Sequence, residues 1–263
     1  MSKGDTNMGV FRPILYFCAA AVTLAAAGLP YAGKWKMNPA KSDFGQSTVA
    51  YTQLPSGEIE ATEEGQTYKF RMDGKDYTTP YGETAAWKPI DANTWEVTEK
   101  VNGKSLGVTT LSLSADGKTL TAHSKGVKPN GEAMDDTVVY DRISGSAGLM
   151  GKWKTKNLKS NSPETLELTP SANGLVYNLV DFKMTCDAKM DGKYYPCTGP
   201  ALAPGWTLAW VKNDAKGLEW SVQRNGKAMF HGVLTVSADG KTLTETESPA
   251  GTAETIKIVY DRQ

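Results

Sequence analysis

The stretch Ser114-Ala115-Asp116-Gly117-Lys118-Thr119-Leu120-Thr121 returns letter for letter as Ser237-Ala238-Asp239-Gly240-Lys241-Thr242-Leu243-Thr244. Three further anchors recur in the same order. Gly33-Lys34-Trp35-Lys36 matches Gly151-Lys152-Trp153-Lys154, and Met72-Asp73-Gly74-Lys75 matches Met190-Asp191-Gly192-Lys193. The closing Val139-Tyr140-Asp141-Arg142 matches Val259-Tyr260-Asp261-Arg262. Such an order identifies an internal duplication, with the differences between copies expected in loops. In each echo Asp-Gly reads as the positive-φ pair of a tight hairpin turn, and Thr-Leu-Thr opens an alternating strand.

The chain of 263 residues has room for two domains of ordinary size. Its 29 basic and 29 acidic residues cancel, so no basic stripe is available to neutralise phosphates, and nucleic acid is excluded as a partner. Seven Trp and eleven Tyr in alternating segments rich in Gly favour strands over helices. Turn signals at Asp73-Gly74, Asn102-Gly103, Asp116-Gly117 and Asn130-Gly131 cut the first copy into many short strands. The expected fold is all-β: two tandem antiparallel meander barrels or sandwiches, preceded by one N-terminal hydrophobic helix. The expected boundaries are 1–32 for that helix, 33–142 for the first repeat, 143–150 for a linker and 151–263 for the second repeat.

Residues 13–32 are uncharged and mostly apolar. Two readings compete. Ala25-Ala26-Ala27 or Ala26-Ala27-Gly28 would serve a signal peptidase, whereas an uncleaved anchor needs about 20 apolar residues, which this run just reaches. The run holds no ionisable group, so as an anchor it would hold rather than conduct, and its Ala and Gly residues would pack closely on other helices. Cys18 reads as a small apolar residue.

Cys186 and Cys197 flank Asp191-Gly192 symmetrically, so a two-residue turn places them opposite one another. A disulfide across this hairpin implies an oxidising compartment. That register would make them a hydrogen-bonded pair with widely spaced Cα atoms unless the turn is bulged. The first copy has Tyr68 and Thr79 at these positions.

The Gly-x-Trp opening and Tyr-x-Arg closing resemble the calycins, the lipocalin and fatty-acid-binding protein group of meander barrels. The residues that carry the resemblance are Gly33-Lys34-Trp35 with Tyr140-Asp141-Arg142, and Gly151-Lys152-Trp153 with Tyr260-Asp261-Arg262. It implies that Trp35 and Trp153 pack at the closed ends of barrels, covered by the late basic residues Arg142 and Arg262. It also implies an apolar cavity for a lipid or pigment. The chain departs from the group at Val138 and Ile258, where fatty-acid-binding proteins carry an Arg that holds the ligand carboxylate.

No nucleophile, base and orienter come together in the pattern, and the acid pairs Glu63-Glu64 and Asp135-Asp136 read as solvated strand residues, so neither catalytic nor metal-binding residues are expected, nor a cofactor. The leading expectation is a non-enzymatic accessory or scaffold subunit. It would be anchored in a bacterial inner membrane through 13–32, with periplasmic β domains docked on other subunits of a membrane complex, respiratory or photosynthetic. Tyr194, Tyr195, Trp206 and Trp210 would form the contact, as aromatics beside a rigid hairpin. The alternative is a soluble periplasmic carrier of a lipid or other apolar ligand, released by signal cleavage.

Overall fold

The computed structural model describes residues 29–44, 47–145, 147–172, 174–214 and 217–263. The opening strand is β1 (Gly33–Met37). Ten strands follow: β2 (Thr48–Gln53), β3 (Ile59–Glu63), β4 (Gln66–Phe70), β5 (Asp76–Thr78), β6 (Thr84–Pro89), β7 (Thr94–Val101), β8 (Lys104–Leu113), β9 (Thr119–Val127), β10 (Ala133–Ser144) and β11 (Gly151–Ser160). The remainder are β12 (Thr165–Ser171), β13 (Gly174–Leu179), β14 (Met184–Lys189), β15 (Tyr195–Thr198), β16 (Trp206–Asp214), β17 (Gly217–Arg224), β18 (Lys227–Val236), β19 (Thr242–Pro249) and β20 (Ile256–Arg262).

These strands make two antiparallel barrel-like sheets in tandem. Strands β12 to β20 meander in order, and β1 pairs with both β12 and β20 to close them into a barrel. The other sheet runs β4-β3-β2-β11-β10-β9-β8-β7-β6-β5 and stays open between β4 and β5. Alternation drives both. Buried Ala85 and Trp87 on β6, Trp95 and Val97 on β7, and Leu120 and Ala122 on β9 point to one face, with more exposed residues between them.

Strand pairing does not follow the repeat boundary. The opening strand of the first repeat completes the barrel of the second, with Trp35 opposite Leu166 and Arg262. The opening strand of the second, β11, lies between β10 and β2 in the first sheet, with Trp153 opposite Arg142 and Val49. The segment expected as an interdomain linker, 143–150, is therefore the turn of the β10–β11 hairpin. The chain instead passes between sheets at 38–47 and 161–164.

Each exchanged strand is held by the same clasp. Trp153 Nε1 donates to the Leu149 carbonyl at 2.9 Å, and the Arg142 guanidinium lies 4.0 Å above the ring. Arg142 also donates to the carbonyls of Gly117, Met150 and Gly148 at 2.6, 2.7 and 2.5 Å. In the barrel Trp35 Nε1 donates to Tyr31 at 2.8 Å, and Arg262 sits 3.9 Å over the ring, donating to Gly240, Ala32 and Pro30. Both indoles are fully buried. Stacking of this kind adds about 0.5–2 kcal/mol to the burial of the ring.

The second clasp corrects the expected membrane segment. Residues at its C-terminal end, 29–32, form a turn docked on the barrel: Tyr31 is buried in the barrel core, Leu29 packs against it, and the Pro30 and Ala32 carbonyls serve Arg262. Among the described residues no helix is long and apolar enough to cross a membrane. The reading of 13–32 as a span, and of the chain as an inner-membrane-anchored subunit, is withdrawn. The rest of the hydrophobic helix expected over 1–32, the cleavage motifs at 25–28 and Cys18 lie outside the described residues.

The Asp-Gly turns differ in detail from expectation. Only the glycines, Gly117 at φ 70° and Gly240 at φ 70°, adopt positive φ, while Asp116 and Asp239 do not. The Asp carboxylate instead accepts from the following Lys N–H and from the Ser hydroxyl, giving a bulged turn. Asn102-Gly103, with both φ values positive, is the tight two-residue type.

The exchange yields a direct test. Trp153→Ala is expected to cost about 3–5 kcal/mol and to raise amide hydrogen exchange in 48–144. Trp35→Ala is expected to raise it in 165–262. Protection lost within each tryptophan's own repeat would contradict the exchanged pairing.

Candidate functional site

The barrel of β1 and β12–β20 has two unlike ends. At one, Trp35, Tyr31 and Arg262 fill the interior. Along β19 the inward face then carries Leu243, Glu245, Glu247 and Pro249, leading away from Arg262. Toward this other end lies an apolar cavity of about 280 Å³. Its walls include Tyr177, Leu179, Met184, Leu208, Val222 and Phe230. Cross-strand register brings them together: Leu208 faces Val222, which faces Phe230, while Leu179 faces Met184.

The Cys186–Cys197 disulfide forms part of this wall. The two residues pair directly between β14 and β15 at a Cα–Cα distance of 4.3 Å, the narrow spacing of a non-hydrogen-bonded pair. Gly192 alone takes positive φ in the turn, and its N–H donates to the Trp210 carbonyl of β16 at 3.2 Å, so the turn is not the tight two-residue type. The bridge ties β15, the shortest strand of its half of the barrel, to β14.

Of the four expected contact aromatics, two belong to the interior or to the junction between sheets. Trp210 is 1% exposed in the barrel core, its Nε1 donating to the Leu175 carbonyl at 2.9 Å. Trp206 is half-buried, lines the cavity and donates to the Tyr81 carbonyl of the other sheet at 3.1 Å. Phe230 stacks between Trp206 and Tyr81, at ring distances of 6.5 and 6.2 Å. Tyr194 is 40% exposed and bonds to Ser221, and Tyr195 Oη donates to Asp191 at 2.9 Å. Trp210 thus supports the core, and Trp206 serves an internal contact at the cavity mouth. Arg224 reinforces that contact, donating to the Pro80 carbonyl at 3.0 Å.

Two carboxyl groups enter the cavity that the sequence reading passed over. Glu245 is 2% exposed and accepts a hydrogen bond from Tyr260 Oη at 3.0 Å. The same hydroxyl lies 3.0 Å from Glu164 Oε1, so one phenolic proton is shared between two acids. Burial pushes Glu245 up to about 7, opposed by the Tyr260 bond and assisted by the charge of Glu164. Glu247, two residues on, is raised well above its ordinary range by burial, and then by Glu245, Glu64 and Glu164. Trp220 also lines the cavity, 7% exposed, with Nε1 turned toward Glu245 but closing no hydrogen bond.

A signal for these acids was present. Thr242-Leu243-Thr244 fixes Leu243 as inward, and period two then places Glu245 and Glu247 on the same face. In the first copy the positions matching them hold Ala122 and Ser124.

The centre of the first sheet is filled by aromatic side chains. Tyr51, Phe70 and Trp87 are buried in its centre; Tyr68, Phe70 and Trp87 stack in series, and Tyr51 meets Trp87 edge to face. Glu63 and Glu64, expected to be simply solvated, gather there with Glu83 and Glu99. Glu63 keeps contact with solvent, yet desolvation by the surrounding sheet, and then Glu64, Glu99 and Glu83, push it up to about 8.

No protein-family model, no curated protein and no solved structure matches this chain.

The buried acid makes stability depend on pH. An unfolded glutamate titrates near 4.5, whereas Glu245 titrates near 7 in the native state, so the native state binds the proton more tightly. Stability is therefore greatest below about pH 4.5 as far as this group is concerned, and falls as pH rises through 7. Glu245→Gln is expected to match the parent near pH 4.5 and to exceed it at pH 8 by on the order of 3 kcal/mol. Urea midpoints at the two pH values check this. A variant that tracks the parent at both would show that the carboxyl is not held protonated.

Proposed function

We propose that this chain is a non-enzymatic carrier of a small apolar molecule, a calycin-like barrel protein that works in the periplasm. The observation that supports the reading is the apolar cavity of about 280 Å³ at one end of the closed barrel, opposite the Trp35–Arg262 plug. Such a volume lies at the lower end of small-molecule pockets. The Cys186–Cys197 bridge suits an oxidising compartment outside the cytoplasm. The calycin likeness draws support from the meander order and from each Trp-Arg clasp.

Organic extraction of protein purified from its host, followed by mass spectrometry, tests the reading. A small apolar compound is expected in stoichiometric amount. Val222→Trp, which fills the cavity from one wall, is expected to lose it while keeping the circular dichroism of the parent. An empty extract from the parent, or an undiminished one from the variant, would count against the cavity as the binding site.

A further inference from the structure

The chemistry of the cavity narrows what it accepts, and the following rests on the carrier reading above. Two carboxyl groups, Glu245 and Glu247, are the ionisable acids of its lining, and no Lys, Arg or His lines it. Glu247 has neither a hydrogen bond nor an ion pair among the described residues. Glu245 accepts from the Tyr260 hydroxyl, which it shares with Glu164. The charged groups acting on the pair from neighbouring elements are Glu164 beside β12 and Glu64 from the other sheet, both acidic. Lys36 and Lys128 act on Glu164, and Arg224, two residues beyond Val222 on β17, is turned to the Pro80 carbonyl at the cavity mouth. Trp220 Nε1, more than nine-tenths buried at the same place, lacks a partner.

A cavity walled by apolar groups with two acids at its depth, neither paired with a cation, is incomplete when empty. Burying like acids together costs free energy that an opposite charge would recover. An anionic ligand would oppose any carboxylate that ionises beside it. A neutral alcohol could pair with one carboxyl but would bring no charge to offset the ionisation of either. An ammonium group would supply three donors and a positive charge to both.

We propose that the ligand carries a protonated amine on a short apolar body, with the amine seated between Glu245 and Glu247 and the body against Leu179, Met184, Val222 and Phe230.

Three probes of about the right size distinguish the cases: octylamine, 1-octanol and octanoate, titrated against the full chain at pH 7.5 and followed by tryptophan fluorescence and calorimetry. Octylamine is expected to bind at least ~10-fold tighter than 1-octanol, and octanoate more weakly than either. Glu247→Gln, nearly isosteric, is expected to bring the octylamine-to-octanol affinity ratio close to one. Equal affinities for octylamine and octanol in the parent, or a ratio unchanged by Glu247→Gln, would overturn the amine assignment and leave the carrier reading standing. Failure of all three probes to bind would overturn both.

Discussion

A guanidinium laid flat on a buried indole is the contact on which the rest of this structure depends. Arg142 on Trp153 and Arg262 on Trp35 each join the last strand of one repeat to the opening strand of the other. The arginine's remaining donors are absorbed by carbonyls of the turn that precedes the opening strand and of the Asp-Gly turn that precedes the last pair. One side chain thus covers a hydrophobic plug and satisfies loop carbonyls that would otherwise be unpaired at a barrel end. Because it fixes where the opening strand sits, it decides which strands share a sheet.

The exchange of opening strands turns two sequence repeats into one connected object. The first sheet is the continuous segment 48–160, set into the barrel between β1 and β12. The sheets also meet through side chains: Trp206, Phe230 and Tyr81 stack in series, Arg224 reaches Pro80, and Asn130 bonds to Asp181. These contacts bring the Pro80–Tyr81 loop of one sheet to the cavity mouth of the other, so access to the cavity depends on both.

The two copies have diverged inside more than outside. Identical turns and matching clasps preserve the frame, while the inward positions after the shared Thr-Leu-Thr differ. Ala122 and Ser124 in one copy correspond to Glu245 and Glu247 in the other. The first sheet closes its centre with stacked aromatics; the barrel keeps a cavity, a disulfide in its wall and acids at depth. The copy with the cavity is the one whose function we propose to be binding, and the packed copy supplies structure and part of the entrance.

Much of the architecture was legible from local chemistry. Period-two alternation, Asp-Gly and Asn-Gly turns and the repeated anchors determine an all-β duplication, and Cys186 and Cys197 are opposite by simple counting, because each of these depends on residues near one another in the chain. What only the tertiary structure decided depends on distant partners. The two Gly-Lys-Trp-Lys openings are identical, so sequence cannot say which sheet each completes; chain length across 38–47 and 161–164 and the geometry of closure do. Trp206 and Trp210 carry the same residue type four positions apart on one face of β16, yet their depth along the barrel and the approach of Tyr81 put one at the mouth and the other in the core. Residues 29–32 read as the end of an apolar run until the barrel showed that their carbonyls and Tyr31 are needed to hold Arg262 and Trp35. Hydropathy counts side chains one by one, whereas burial is conferred by whatever packs against them.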